Sequence, residues 1–310
     1  MPCTRPLKGW RAKSVGESGK RKVVFNHREA FTDLPVDVPC GSCDGCRLEH
    51  SRQWAVRLMH EKSLCDYDQD GNPVPRDACF LTLTYDDAHL PRNGSLDKSE
   101  VQRFFKRLRI RLKRAGGPKV RYFAAGEYGE TSKRAHYHAI VFGWSPPDGI
   151  EYRGGPNPLY VSPLLDKLWG CGQCTFGQVT FETAAYVARY TLKKVGGGGA
   201  TDFYRSVDWS SGELGSVIPE FALMSQSLGV KWYEKFPTDV FPRDYVISRG
   251  HKASVPRAYL QKLETTDPVL AAEVRASRSV KFAARREEFT PERLDVLHEY
   301  NRKIQTKRSL

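Results

Sequence analysis

The sequence lacks any run of about 18 apolar residues, the minimum that a membrane-spanning helix requires. Its first residues, Met1 to Pro6, also lack the apolar core of a secretory signal peptide. We therefore expect no membrane partner and a cytosolic location. Because thiols stay reduced in the cytosol, the eight cysteines are expected to be metal ligands or ordinary buried residues rather than disulfides.

Acidic residues are in short supply. The chain has 36 Asp and Glu against 49 Lys and Arg, which gives a formal net charge of +13. Such a surplus attracts a polyanion through electrostatic steering and counterion release. A basic surface is about as often merely solvated, so charge alone leaves both interpretations open.

The cysteines cluster near the N-terminus. Three of them follow one another at three-residue steps: Cys40, Cys43 and Cys46. Three thiolates in one tight turn predict a structural Zn²⁺ site, which needs a fourth ligand to complete a tetrahedron. The candidates by residue type are Cys3, His27, His50 and Cys65. Two alternatives remain, an iron–sulfur site and three reduced cysteines in a loop, and the first is disfavoured because no cysteine follows Cys46 closely.

The tripeptide His136-Tyr137-His138 opens an apolar run and predicts a β-strand. Side chains alternate along a strand, so both imidazoles lie on one face. Residues 119–127 predict a second strand, and the turn-rich segment that follows folds it back antiparallel, which brings Glu127 beside the histidines. Two imidazoles and a carboxylate form a metal site with open positions for water or a phosphate oxygen. Alone, a His-x-His pair is more often structural or exposed.

The order of elements predicts an α+β fold. A strand at residues 79–85 precedes a helix that begins with a capping box at Asp97 and Glu100. The two strands above follow, then a helix at residues 163–169, a strand at 174–181 and a last helix. We expect an antiparallel sheet backed by helices in ferredoxin-like order. Residues 4 to 39 are predicted to be an irregular basic arm with one short strand at residues 23–25.

The first of these helices carries a basic outer face: Lys106, Arg107, Arg109, Arg111, Lys113 and Arg114. A face with so many cations and no interleaved acids predicts contact with a DNA backbone, although a solvated face has the same composition.

The last helix, over residues 182–194, carries two tyrosines. Tyr186 and Tyr190 are four residues apart and therefore share a face. Each is followed three residues later by a cation, Arg189 and Lys193 respectively, which can stabilise phenolate or phosphate charge. Without further signals, such a tyrosine pair is usually a packing feature.

Three segments occur in the order of the rolling-circle replication motifs: Phe80–Tyr85, Gly126-Glu127 with His136-Tyr137-His138, and Tyr186-x-x-x-Tyr190. With them the chain resembles the HUH endonucleases, most closely the replication initiators of gokushovirus-type single-stranded DNA phages. The resemblance extends over nearly the whole chain, including Cys40–Arg47 and Phe221–Ser225. The family also has a cysteine at its extreme N-terminus, which favours Cys3 as the fourth zinc ligand.

The resemblance implies a nickase of single-stranded origin DNA. Tyr186 and Tyr190 would be nucleophiles assisted by Lys193, with Tyr190 slightly preferred as initiator because Tyr190-x-x-Lys193 better matches the family motif. Glu127, His136 and His138 would hold catalytic Mg²⁺ or Mn²⁺. Arg189 and Lys194 would join the basic helix in binding DNA. The products would be a 5′-phosphotyrosine and a 3′-hydroxyl primer, made in the cytoplasm of a host bacterium beside its helicase and polymerase.

We expect three regions: a basic zinc-binding region at residues 1–75, an HUH endonuclease domain at 76–199, and a C-terminal extension of unknown role at 200–310. Two alternatives remain open. The first is a non-catalytic, zinc-stabilised protein that binds single-stranded DNA through aromatic stacking and phosphate contacts. The second is a transposase or mobilisation relaxase with the same chemistry.

Overall fold

A computed structural model describes residues 3–16, 19, 21–65, 78–91, 93–129, 131–190, 200–207 and 211–308. The strands are β1 (Leu7–Ala12), β2 (Val23–Val24), β3 (Ala30–Val38), β4 (Ala78–Thr84), β5 (Arg121–Tyr128), β6 (Ala135–Phe142), β7 (Ile150–Arg153), β8 (Leu159–Val161), β9 (Cys174–Gly177), β10 (Arg205–Val207), β11 (Leu214–Ser216), β12 (Phe221–Met224), β13 (Val246–Ser248) and β14 (His251–Ala253). The helices are α1 (Asp44–Ser63), α2 (Lys98–Arg114), α3 (Pro163–Trp169), α4 (Phe181–Tyr190), α5 (Ala200–Phe203), α6 (Val230–Lys235), α7 (Arg257–Thr266), α8 (Pro268–Ala284) and α9 (Pro291–Arg308).

The chain divides into two compact units. One comprises Met1–His50 with Ala271–Leu310, and the other comprises Ser51–Leu270. Across the described residues, every helix is too short or too polar to cross a bilayer.

The larger unit is built on an antiparallel sheet with the order β12-β5-β6-β4-β9-β8-β7 in the described chain. Neighbouring strands pair antiparallel throughout. Helices lie against the sheet, so the predicted α+β architecture is confirmed. The helix predicted at residues 163–169 has those bounds in α3.

Alternation in β6 separates the two faces of this sheet. Tyr137 is fully buried in the core that contains Phe104 and Leu108 of α2. Ile140 points the other way, into a second core with Leu58 of α1 and Val187 of α4. Because His136 and His138 alternate with Tyr137, they belong to the face covered by α1 and α4.

The short strand predicted at residues 23–25 is confirmed as β2, but the prediction of an otherwise irregular arm is wrong. The strands β1 and β3 join β2 in a three-stranded antiparallel sheet with the order β2-β1-β3. The sequence gives no clear signal for β3, because most residues of this strand are exposed and the strand contains Pro35. Proline is tolerated on an edge strand, and β3 lies at the edge. A register shift in β1 between Trp10 and Arg11 further breaks the alternating pattern that sequence reasoning needs.

The predicted capping box of α2 is also wrong in one half. The Asp97 carboxylate accepts from the Ser99 N–H at 2.7 Å and caps the helix as expected. Glu100, however, accepts a hydrogen bond from the Tyr85 hydroxyl. The Asp97 N–H donates to the Tyr137 hydroxyl at 2.8 Å instead. Two buried tyrosines thus take the partners that the box would have used.

Candidate metal centre

Strand pairing brings the three predicted ligands together. In the β5–β6 ladder, Glu127 lies opposite His136, and His138 lies opposite Ala125. One oxygen of Glu127, Oε1, lies 2.6 Å from His136 Nε2 and 3.0 Å from His138 Nε2. One ligand atom from each residue lies within 4.8 Å of the others. Glu127 and His138 are buried, and His136 is partly so.

Hydrogen bonds on the far side of the imidazoles show that this donor set fits a cation. Nδ1 of His136 lies 3.1 Å from the carbonyl oxygen of Arg134, which can only accept, so Nδ1 carries the proton. In the neutral ring, Nε2 then directs a lone pair at Glu127 Oε1. Two acceptors 2.6 Å apart need a proton or a metal ion between them. In addition, the buried Oε2 of Glu127 has no hydrogen-bond partner among the described residues.

The electrostatics keep the ligands in their binding forms. Burial alone would raise the pKa of Glu127, but its close contacts with the imidazoles of His136 and His138 outweigh burial and lower the pKa, which favours the carboxylate. Burial lowers the pKa of His138 and so favours its neutral form. A carboxylate beside neutral imidazoles is the state that binds a divalent ion.

Helix α4 places a tyrosine hydroxyl at this cluster. The Tyr186 hydroxyl lies 3.4 Å from His138 Nε2 and 3.5 Å from Glu127 Oε1. The Ser51 hydroxyl donates to the Ala185 carbonyl at 2.9 Å and ties α4 to α1. The Arg189 guanidinium lies 5.8 Å from the centre of the Tyr186 ring. Lys193, Lys194 and the side chain of Tyr190 lie outside the described residues.

Two residues of β4 that sequence reasoning left without a role support the site. Thr82 pairs with His138 across the β4–β6 ladder, and its Oγ1 lies 3.1 Å from His138 Nδ1. Phe80 stacks on the His138 ring at 5.3 Å and meets the Tyr186 ring edge-on at 6.4 Å. The predicted alternation of β4 put both on one face, but finding their role required knowing that β4 lies beside β6.

The cysteine cluster forms a second candidate site in the smaller unit. The sulfur atoms of Cys3, Cys40, Cys43 and Cys46 lie within 4.8 Å of one another. Cys3 Sγ is 3.7 Å from Cys40 Sγ and 3.8 Å from Cys43 Sγ. Sulfurs about 2.3 Å from a central zinc lie about 3.8 Å apart along a tetrahedral edge, so the spacing fits. The same distances exclude disulfides, whose sulfurs are about 2 Å apart.

Charge in this cluster also favours a cation. Burial alone would raise the pKa of Cys43, but hydrogen bonds from Thr4 and the Cys46 backbone outweigh it and lower the pKa to about 6. Burial raises the pKa of Cys3 and of Cys46. Burial alone would also raise the pKa of Cys40, but hydrogen bonds from the Cys43 backbone and from Ser42 outweigh it and lower the pKa. Two of the four sulfurs thus favour the thiolate form, which attracts a cation. The His27 ring packs against the Trp10 ring at a tilt of 49°, and the Cys65 thiol donates to the Glu61 carbonyl, so both residues lie outside the cluster.

The basic helix does not share a face with the metal cluster. The six cations of the basic face of α2 are exposed: Lys106, Arg107, Arg109, Arg111, Lys113 and Arg114. Helix α2 packs on the Tyr137 face of the sheet, opposite the histidines. Arg107 also donates to the carbonyls of Leu168 and Trp169, at 2.7 and 2.8 Å, and so helps to end α3. Binding of DNA by this helix stays a prediction.

Fold and site together define a class of α+β protein that presents two imidazoles, a carboxylate and a tyrosine hydroxyl on one sheet face. The family model of Replication-associated protein ORF2/G2P matches residues 78–195, which contain all four groups. The chain is 32% identical over 268 residues to replication-associated protein VP4 of Bdellovibrio phage phiMH2K, covering 84% of this chain and 76% of the relative.

Two other phage proteins are similar. Replication-associated protein ORF2 of Spiroplasma virus 4 is 30% identical over 282 residues, covering 85% of this chain and 81% of the relative. Replication-associated protein ORF4 of Chlamydia phage 1 is 30% identical over 239 residues, covering 74% and 55%. No solved structure gives a significant match. The chain therefore belongs to the phage replication-associated proteins, and within them to the gokushovirus-type replication initiators.

Proposed function

We propose that this protein starts rolling-circle replication by nicking single-stranded origin DNA with a tyrosine nucleophile. The observation that carries the proposal is the Tyr186 hydroxyl, 3.4 Å from His138 Nε2 at the edge of a metal-binding set. The strand order β5-β6-β4-β9 supports an HUH-type core, because it corresponds to the order of a ferredoxin-like βαββαβ unit.

A tyrosine hydroxyl is a weak nucleophile at neutral pH because its pKa is about 10, so attack on a phosphate needs help from the site. Bound Mg²⁺ or Mn²⁺, held by Glu127, His136 and His138, would neutralise charge on the scissile phosphate. Two imidazoles in the donor set favour Mn²⁺ over Mg²⁺, which prefers oxygen ligands.

Side chains of the protein would carry out the rest of the reaction. Packing of Phe80 against both His138 and Tyr186 holds the phenol beside the metal ligands. The tyrosine oxygen forms a bond to phosphorus as the bond from phosphorus to the 3′ oxygen breaks. The phenol gives up its proton, and the departing oxygen takes one to become the 3′-hydroxyl. The guanidinium of Arg189, 5.8 Å from the centre of the Tyr186 ring, would stabilise negative charge on the phenol or phosphate.

The covalent 5′-phosphotyrosine conserves the energy for rejoining the strand at termination, and the 3′-hydroxyl serves as primer for the host polymerase. We assign this chemistry to residues 76–199, with β12 of the C-terminal extension completing their sheet. The region at 1–75 contributes a structural Zn²⁺ site. Lys193 and Lys194 are proposed to act with Tyr190 and the DNA backbone.

Metal-dependent cleavage of single-stranded DNA tests the proposal. The double variant His136→Ala/His138→Ala should form no product or covalent adduct in Mn²⁺, because two of the three ligands are gone. His89→Ala is the matched control, since His89 pairs with the exposed Asp86 and lies outside the ligand set. Full cleavage by the double variant would reject the metal assignment. Retained DNA binding without any cleavage by the unaltered protein would favour the non-catalytic binding protein.

A further inference from the structure

The larger unit contains a cavity of about 600 Å³ beyond the metal ligands, at the end of the β5–β6 hairpin. Its lining includes Tyr128, which directly follows Glu127, and Arg134, whose carbonyl lies 3.1 Å from the Nδ1 of His136. The volume lies within the range of about 300–1,000 Å³ that is typical of pockets for small organic groups. One wall comes from the segment around β10 and β11, through residues 203–206, Val217 and Glu220, to which the sequence alone assigned no chemistry.

This wall is fixed to the sheet by several hydrogen bonds. The Tyr128 hydroxyl donates to the Ile218 carbonyl at 2.7 Å, and the Ile218 N–H donates to the Ser95 hydroxyl at 2.9 Å. The Ser206 hydroxyl donates to the Asn93 carbonyl at 3.1 Å. The strands β10 and β11 pair with each other within the same segment. The cavity is therefore bounded by specific contacts within the larger unit.

The chemistry of the lining suits one flat, polar ring. Phe203 is 56% exposed, and its ring packs edge-on against the Tyr204 ring at 5.0 Å, which leaves an aromatic surface for stacking. Glu220 is 9% exposed, and its Oε2 accepts from the Tyr204 hydroxyl. No described residue donates to its Oε1. A carboxylate only accepts hydrogen bonds, so this oxygen suits a ligand that carries an amino group.

The rim of the cavity is basic. Lys133 is exposed, and its side chain forms no hydrogen bond or ion pair with another described residue. The Arg205 side chain is 58% exposed, and among the described residues its ion-pair partner is the more exposed Asp202. Two cations around an aromatic surface and a carboxylate favour a base that is attached to phosphates. A neutral peptide would offer Lys133 no charged partner.

We propose that this cavity binds a single unstacked nucleobase with an exocyclic amino group, from the DNA strand that enters the metal centre. The inference rests on the proposed function for the identity of that strand. The base would stack on Phe203 and donate its amino group to Glu220, while Lys133 and Arg205 contact the flanking phosphates. Thymine has no amino group and is disfavoured. The cavity therefore gives the nickase a preference for a base close to the scissile phosphate.

Fluorescence anisotropy with labelled (dC)₁₂ and (dT)₁₂ tests the proposal, using the full chain in buffer without added Mg²⁺ or Mn²⁺. Cytosine carries an amino group where thymine carries an oxygen, so the unaltered protein should bind (dC)₁₂ at least about fivefold more tightly. Glu220→Gln should bring this ratio close to one, because an amide can serve either base. Phe203→Ala should weaken binding of both oligonucleotides about fivefold or more by removing a stacking contact.

Two matched controls use residues outside the cavity lining. Glu234→Gln removes a carboxylate that pairs with Lys262, and Tyr152→Ala removes a 68% exposed aromatic ring. Both should keep the affinities and the ratio of the unaltered protein. Equal binding of (dC)₁₂ and (dT)₁₂ by the unaltered protein, or no change in either cavity variant, overturns the proposal. Competition by free dCMP as effective as that by (dC)₁₂ also overturns it, because the occupant is then a free nucleotide.

The binding assay and the nicking assay can give opposite results, so the two proposals are tested separately. The double variant His136→Ala/His138→Ala should keep the preference for (dC)₁₂ although it cannot nick. If the unaltered protein never nicks DNA but still prefers (dC)₁₂, the result supports the cavity proposal and rejects the proposed nicking function. If it nicks DNA and Glu220→Gln leaves the preference unchanged, the result supports the proposed nicking function and rejects the cavity proposal.

Discussion

The hydroxyl oxygen of Thr82 lies 3.1 Å from Nδ1 of His138, directly across the β4–β6 ladder. When His138 Nε2 offers its lone pair to a metal, Nδ1 carries the ring proton and donates it to this oxygen. Such a partner on the far side of a ligand fixes both the tautomer and the orientation of the imidazole. We therefore predict that Thr82 positions His138 in the candidate metal centre.

Thr82→Val should raise the concentration of Mn²⁺ needed for half-maximal cleavage by about 10- to 100-fold, as is typical for loss of a hydrogen bond to a ligand histidine. Valine keeps the shape and the strand preference of threonine, so the fold should persist. A metal titration of the cleavage rate measures the shift.

Thr84→Val is the matched control for that prediction, since Thr84 belongs to the same strand but its hydroxyl donates to the Gln173 carbonyl at 2.7 Å. Its metal requirement should equal that of the unaltered protein. Saturating Mn²⁺ should restore most of the rate of Thr82→Val, whereas a low rate at every concentration would show damage beyond positioning.

A partly buried histidine makes the stability of the fold sensitive to acid. His60 stacks on Trp232 at 3.6 Å, and its Nδ1 lies 2.8 Å from the Tyr259 hydroxyl. Burial lowers the pKa of His60 to about 4. In the unfolded chain it returns to about 6.5, so the unfolded state binds more protons between these values. This contribution to stability is complete above about pH 6.5 and is lost as the pH falls towards 4.

Urea unfolding at pH 7.5 and pH 5.0 measures this effect. The titration of His60 should cost about 2 kcal/mol of unfolding free energy between the two pH values. His60→Phe keeps the stacking on Trp232 but removes the titrating group, so its unfolding free energy should fall by about 2 kcal/mol less over the same interval. An identical loss in both proteins would assign the acid sensitivity to other groups.

Metal analysis tests the cysteine cluster. Purified protein should contain about one zinc per chain that survives mild chelation, because four thiolates bind Zn²⁺ strongly. Cys3→Ser and Cys46→Ser should each lose most of this zinc. Cys65→Ser should keep it, because Cys65 donates to the Glu61 carbonyl and lies outside the cluster. An unchanged zinc content in Cys3→Ser would show that another residue is the fourth ligand.

The meeting of Glu127, His136 and His138 on one sheet face was predictable because it depends on local pattern. A single hairpin joins Glu127 to His136 and His138, and alternation along two strands fixes the face. The role of Thr82 was not predictable in the same way, because it depends on which strand lies beside β6. That neighbour, β4, is more than 50 residues away in sequence from His138.

Other features were missed for physical reasons that differ. In β3, exposure and Pro35 remove the alternation of apolar residues on which strand prediction relies. Around the cavity, β10 and β11 have three residues each, too few to show any period. The position of this segment depends on hydrogen bonds to Tyr128, Ser95 and Asn93, which cannot be read from any local sequence pattern.

The two tyrosines of α4 allow a division of labour. Their spacing of four residues puts both on one helical face. One can carry the 5′ end through a round of replication while the other cuts the regenerated origin, so that ends are exchanged without a free intermediate. Tyr186→Phe and Tyr190→Phe should therefore each leave some nicking and some covalent adduct, whereas the double variant should form none.

Mass spectrometry of the adduct on a labelled origin oligonucleotide identifies the tyrosine that attacks. In Tyr190→Phe the label should lie on Tyr186, whose hydroxyl is 3.5 Å from Glu127 Oε1. Tyr233→Phe is the control for loss of a phenol, because Tyr233 is buried against Phe241 and Tyr259 rather than at the metal ligands. It should keep full nicking. An active double variant, or a label on neither tyrosine of α4, would reject the tyrosine mechanism and leave single-stranded DNA binding as the function of the site.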